Sequence, residues 1–313
     1  MIIGALLALG SAFSFSVNSI LVRRGFADAG ATAVQGAFIT VLLGVPFGLV
    51  AVVVTGQLLN FGQVPFNGFL LVAAAGIVHF CIGRYCNYRS IAAVGASRTV
   101  TFQALSVPYS IVMAIVLLGE RPTLPMYMAI ALILVSPFLM IDRRKRPAPS
   151  TEGARAGGAP AVEIRMVEGV VFSLLASVAY GTSPILIRAA LEDTSGVAAI
   201  GTFVAYAGAA AVLLASLALP AQRHLVGAIN FRYMRLFGGA GLSVFMAQLL
   251  RFFALSLADV TVVDPLMRTV GVFTLILSYL VNRRLENITL GVVLGVLVSF
   301  AGSALLVLAA AQR

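Results

Sequence analysis

The chain has 313 residues, of which 60% are hydrophobic and only 10% charged, with a formal net charge of +10. Soluble domains carry about 25% charged residues, so this composition excludes a water-facing surface and reads as a polytopic membrane protein. The basic residues are all arginine except Lys145, and they fall mostly between apolar runs, where they anchor loops to a membrane face rather than bind nucleic acid.

A membrane-spanning helix needs about 20 largely apolar residues. Ten such runs follow one another, at 2–22, 32–55, 67–90, 96–118, 124–141, 167–190, 197–219, 235–257, 261–282 and 288–310. The first run has no basic leader and no small-residue cleavage site, so it reads as a span and not as a cleaved signal. The third run ends in "HFCIGRYCNYRS", His79 to Ser90, which places a histidine and two arginines in apolar surroundings. Cys81 and Cys86 lie in the same stretch. Their spacing fits neither a zinc site nor a disulfide within one helix, so they read as small hydrophobes.

After the fifth run comes the one long polar break, "DRRKRPAPSTEGARAGGAPAVEIR" from Asp142. Its Pro, Gly and charge mark residues 142–166 as a flexible basic linker between two five-helix units, 1–141 and 167–313. The units repeat. "FSVNSILVRR" at Phe15 matches "YGTSPILIRA" at Tyr180, and "YRSIAAVGAS" at Tyr88 matches "FFALSLADVT" at Phe252. Glu120 and Glu286 close the fourth and ninth runs at equivalent places. An odd number of helices per unit forces the two units into opposite orientations, the inverted-repeat architecture whose site lies between the repeats near mid-membrane.

These residues carry a resemblance. The first-run "SFSVNSILVRR", Pro108 in "LSVPYSIVMAIVLLGE" and a closing "GE" before a polar turn are similar to the EamA repeat of the drug/metabolite transporter superfamily. The second unit departs from that pattern at "YLVNRRLEN", where Arg283, Arg284 and Leu285 precede Glu286 and no glycine does. The resemblance implies ten transmembrane helices in two inverted repeats and a transporter, with export as its direction and both termini in the cytoplasm. The charges of the loops point the other way. The linker-side loops hold Arg23, Arg24, Arg143, Arg144, Lys145, Arg146, Arg223, Arg283 and Arg284, while the opposite face holds Arg121, Arg188 and Arg313. By the positive-inside rule the linker is cytoplasmic and the termini are outside. We follow the charge count.

Candidate binding residues come from polar groups deep in the runs. His79 is near the middle of the third run, and Arg84 lies about 8 Å further along. A charge at the membrane centre costs about 2.5–3.5 kcal/mol on insertion scales, so such residues face a cavity or a partner. Matching Tyr88 with Phe252 pairs Arg84 with Gln248 and Asn87 with Arg251. Each third helix then presents an arginine and an amide three residues apart, on one face. Guanidinium binds carboxylate or phosphate bidentately. In the ninth run, "DPLMRT" sets Asp264 four residues before Arg268, close enough to pair on a helix. Asn18, Gln103 and Tyr180 complete the candidate lining. His79 and Asp264 are candidates to carry a coupling proton, whereas Arg89 reads as an interfacial anchor.

In the tenth run Gly291, Gly295, Ser299 and Ser303 form a small-residue stripe that packs against the fifth helix or against a second copy in a homodimer. No enzyme motif, cofactor fingerprint or metal-ligand spacing is present in the sequence. The expectation is therefore an all-α membrane protein, placed in the cell's inner membrane, that exports an amino acid or organic anion by alternating access. A multidrug or cationic-compound exporter and a lipid-headgroup flippase are the alternatives.

Overall fold

The computed structural model describes residues 1–29, 33–94, 103, 105–140, 165–191, 196–220, 222–223, 225, 231–281 and 290–312. The linker from 142 to 164, Glu286 and the side chains of Arg23 and Arg24 lie outside the described residues and side chains. Among the described residues all regular structure is helical. The first repeat contains α1 (Ile2–Ala29), α2 (Ala33–Val54), α3 (66–94), α4 (Ser106–Leu118) and α5 (Leu124–Met140). The second contains α6 (Met166–Leu191), α7 (Ala198–Ser216), α8 (Phe231–Leu257), α9 and α10 (Leu290–Ala311). Helix α9 is broken into Val260–Met267 and Val270–Val281. Five of the helical stretches are long and apolar enough to cross a membrane by length and composition, and others are shorter apolar helices. Large apolar side chains such as Leu6, Val116, Leu174 and Leu297 stay exposed on the outer surface, where lipid covers them.

The packing repeats with the sequence. Helix α1 lies along α8, and its counterpart α6 lies along α3. Helix α1 also meets α9, as α6 meets α4; α2 meets α8, as α3 meets α7. The remaining principal contacts, α2 with α7 and α5 with α10, join each helix to its own counterpart. Every principal contact between the halves thus has a repeat-related twin, and successive antiparallel spans make the five-helix units inverted. Serines join these helices in lieu of a hydrophobic drive, which lipid does not supply. Ser11 Oγ donates to the Ala247 carbonyl at 2.6 Å, joining α1 to α8, and Ser90 Oγ donates to the Gly169 carbonyl at 3.0 Å, joining α3 to α6.

Two departures from regular helix shape the interior. Residues Ile77–Gly83 of α3 form a π-helical segment, where sequence periodicity predicts continuous α-helix. Gly76 opens it, and a Cβ at that position would come within 2.1 Å of the Ala205 carbonyl oxygen on α7. The lack of a side chain lets α3 press onto α7, and the widened turn carries His79 inward. The second departure is the break in α9, which the sequence expects as one helix over 261–282. A turn at Arg268 and Thr269 separates its two parts.

On the face opposite the linker, α4 ends at Gly119, which takes the left-handed conformation at φ 67° without a Cβ penalty. The next residue, Glu120, is buried and accepts the N–H groups of Val260 and Thr261 at 2.7 and 2.9 Å. Its carboxylate therefore sits on the N-terminus of α9, where orphan donors and the helix dipole favour negative charge. Burial pushes the Glu120 carboxyl above its usual range, against the pull of those backbone bonds. Arg188 reaches the Leu255 carbonyl at 3.0 Å and Asp259 at 3.7 Å. In α10 the described residues of the small stripe, Gly295, Ser299 and Ser303, are buried within the chain. The chief neighbour of α10 is α5, and a Cβ at Gly302 would meet Ile133 and Leu132 at 3.0 Å.

Candidate functional site

The interior polar cluster is centred on His79. From α8, Gln248 Nε2 lies 3.2 Å from His79 Nε2 and Arg251 Nη1 lies 3.4 Å from His79 Nδ1. A guanidinium offers donors only. Nδ1 must therefore accept, the imidazole proton must sit on Nε2, and the Gln248 amide must turn its oxygen towards it, a rotation that leaves the side-chain position unchanged. The i, i+3 spacing of Gln248 and Arg251 on one helix face is what lets both reach one ring. Tyr180 from α6 tilts against the same imidazole with ring centres 4.9 Å apart. A small gap beside them is lined by Gly76, His79, Phe80, Ser183 and Gln248.

Arg251 is 4% exposed and Asp264 3%. Arg251 Nη2 lies 3.8 Å from Asp264 Oδ1, and the other carboxylate oxygen accepts a 2.6 Å hydrogen bond from Ser110 Oγ on α4. The expected pairing of Asp264 with Arg268 is thus replaced: the partner comes from α8. Arg268 instead donates from Nη2 to Ser106 Oγ on α4 at 2.6 Å. It stands at the break in α9, where the second part of the helix no longer continues the first. The buried Nε atoms of Arg251 and Arg268 have no hydrogen-bond partner.

Arg84 and Asn87, the counterparts on α3, turn to other neighbours. Arg84 donates from Nη1 to Thr40 Oγ1 on α2 at 3.4 Å, and its guanidinium carbon stands 5.4 Å from the centre of the Phe80 ring. Asn87 Oδ1 accepts from Gln103 Nε2 at 2.8 Å. Arg84, Arg251 and Arg268 all act electrostatically on His79. The repeat-related arginines thus meet neighbouring residues of α3, Arg251 at His79 and Arg84 at Phe80. Asn18 on α1 holds its Oδ1 buried and without a partner. Arg89 lies apart from the cluster, paired with Glu168 of α6 and standing over the Phe172 ring at 5.2 Å.

Sequence reasoning missed four polar side chains of this interior: Thr40, Ser106, Ser110 and Tyr206. Small hydroxyls on apolar helices are common, and nothing in their local spacing marks them out. Tyr206 on α7 is 1% exposed, stacks on Phe80 with centres 4.5 Å apart, and has no hydrogen-bond partner for its hydroxyl. Gly44 makes room for it: a Cβ there would lie 2.1 Å from the Tyr206 ring. The arrangement is a low-dielectric centre with three arginines and one carboxylate from three helices, α3, α8 and α9, and guanidinium groups can bind carboxylate or phosphate.

Comparison with known proteins agrees with this architecture. The EamA-like transporter family model matches residues 2–142 and 167–308, once per repeat. A solved structure, described only as a crystal structure of a protein, shares the fold with a TM-score of 0.70 over 99% of this chain and 97% of that one, at 16% identity. No curated protein matches the chain. With both repeats matched over nearly their full length, this chain belongs to the EamA-like transporter family.

Proposed function

We propose that this multi-pass membrane transporter is a secondary transporter that moves a small organic anion or amino acid across the cell's inner membrane by alternating access, in the export direction. The observation that carries this reading is the charge at the centre. Arg251 contacts His79, Arg84 stands over the adjacent Phe80 ring and Arg268 lies one helical turn from Asp264, and among the described residues of that cluster Asp264 is the one carboxylate. Uncompensated charge in a membrane interior is costly, and a bound anion lowers that cost. Arg251 is the principal ligand, with Arg268, Gln248 and Tyr180 beside it. Arg84, Asn87, Gln103 and Asn18 are further candidate ligands, with Gln103 bonded to Asn87. His79 and Asp264 are the groups that would exchange a coupling proton, since both touch Arg251.

A cationic substrate needs a carboxylate free to receive it, and Asp264 is already engaged by Arg251 and Ser110. A thermal-shift screen of the purified protein against organic acids, amino acids and cationic dyes tests the reading. Anionic or zwitterionic compounds should stabilise the protein, and Arg251→Leu should remove that stabilisation. Stabilisation by cationic dyes alone would reject it.

A further inference from the structure

We propose that the site is two-ended and takes a small dicarboxylate, with one carboxylate held by Arg251 and Arg268 and the other by Arg84 and Tyr206. The proposal rests on the anion reading above and narrows it.

Three observations carry it. The first is charge. Three arginines and one aspartate leave the described cluster two positive charges in excess. A monoanion neutralises one of them, whereas a dianion neutralises both, and the low dielectric makes the remainder expensive.

The second is an idle donor. The Tyr206 hydroxyl is buried in the bundle without a partner. Arg84 acts on it electrostatically, and both flank the Phe80 ring: Tyr206 stacks on it at 4.5 Å and Arg84 stands 5.4 Å from its centre. Among the described residues Arg84 makes one hydrogen bond, to Thr40 at 3.4 Å, at the long end of the range, so its guanidinium is weakly held. A carboxylate here would take a donor from each. Burying a hydroxyl with no partner is unfavourable, and a ligand oxygen removes that penalty.

The third is separation. Arg251 approaches His79 at Nδ1 and continues to Asp264 on α9, whereas Arg84 lies five residues beyond His79 on α3 and turns to α2. Each end meets one of two neighbouring rings of α3: Arg251 approaches His79, whereas Arg84 and Tyr206 approach Phe80, and the two ring centres are 5.1 Å apart. A phosphate monoester concentrates its charge at one end and would leave the other arginine unmatched. Two carboxylates joined by a short carbon chain match both.

Isothermal titration of the detergent-purified protein with succinate, butyrate and glycerol 3-phosphate tests this. Succinate and butyrate have the same carbon count and differ in one carboxylate. Succinate should bind tighter than butyrate by about tenfold or more, the effect of one charge-assisted contact. Arg84→Leu and Tyr206→Phe should each shrink that advantage, and Arg89→Leu should leave it unchanged. If Arg84→Leu does not fold, Arg84→Gln and Tyr206→Phe carry the same comparison. Equal affinity for succinate and butyrate overturns the two-ended site and leaves the anion reading standing. Tightest binding of glycerol 3-phosphate overturns it in favour of a one-ended dianion site. Binding of none of the three overturns it, and binding of tetraphenylphosphonium in their place takes the anion reading with it.

Discussion

Arg251 and Asp264 face each other 3.8 Å apart in the interior of the bundle, and they join α8 to the first part of α9. Breaking a buried pair from one side leaves an uncompensated charge, which costs about 3–5 kcal/mol. Asp264→Asn should therefore lower the unfolding temperature of the purified protein. Adding Arg251→Gln should recover much of the loss, because both charges are then gone. Adding Arg268→Gln in its place should recover less, since Arg268 is bonded to Ser106. A double-mutant cycle on thermal unfolding checks this, and equal rescue by the two partners would refute the pairing.

Glu120 closes the opposite face from a different direction. Its two carboxylate oxygens take the first two N–H groups of α9, across the gap between α4 and α9. Removing a side-chain cap costs about 0.5–2 kcal/mol. Glu120→Ala should destabilise the protein by about that amount, and Glu120→Gln, which keeps one acceptor oxygen, by less. Faster hydrogen exchange at Val260 and Thr261 in the alanine variant would locate the effect at the α9 terminus. Unchanged exchange there would show that the cap contributes nothing.

The ten spans and the repeat were legible because both rest on local signals, namely apolar run length and the reuse of short motifs. Of the two matched Arg/amide pairs, Gln248 and Arg251 reach one partner together, whereas Arg84 and Asn87 turn to different ones. Which residue Arg251 then pairs with was not legible. Asp264 and Arg268 have ideal spacing for each other on a continuous helix, and α9 is not continuous there. The π segment of α3 begins where Gly76 meets a neighbouring helix. In sequence Gly76 is an ordinary small residue in an apolar run, and only the approach of Ala205 gives it meaning. Tyr206 was invisible because "GTFVAYAGAA" reads as any apolar helix with one aromatic. Its importance comes from Phe80 and Arg84, more than a hundred residues earlier in the chain.

The loop charges predict a cytoplasmic linker. With Cys81 and Cys86 replaced by alanine, a cysteine introduced by Ser150→Cys in the linker should resist a membrane-impermeant maleimide in intact cells. One introduced by Gln312→Cys should react. The linker position lies outside the described residues, so the measurement tests orientation independently of the packing. Reaction at position 150 and protection at position 312 would reverse the assignment and place both termini in the cytoplasm.

Tyr206→Phe separates a structural role for the hydroxyl from a binding role. The hydroxyl is buried and makes no hydrogen bond, while the ring packs on Phe80 and fills the space opposite Gly44. Phenylalanine keeps the ring and removes the oxygen. A buried polar group without a partner costs about 1–3 kcal/mol, so the empty variant should unfold at the same temperature as the parent or higher. Succinate should stabilise the variant less than the parent, because the carboxylate beside Arg84 loses one donor. The two measurements move in opposite directions only if the hydroxyl is kept for a ligand. A variant that unfolds earlier and binds succinate unchanged would show that the hydroxyl serves the fold alone.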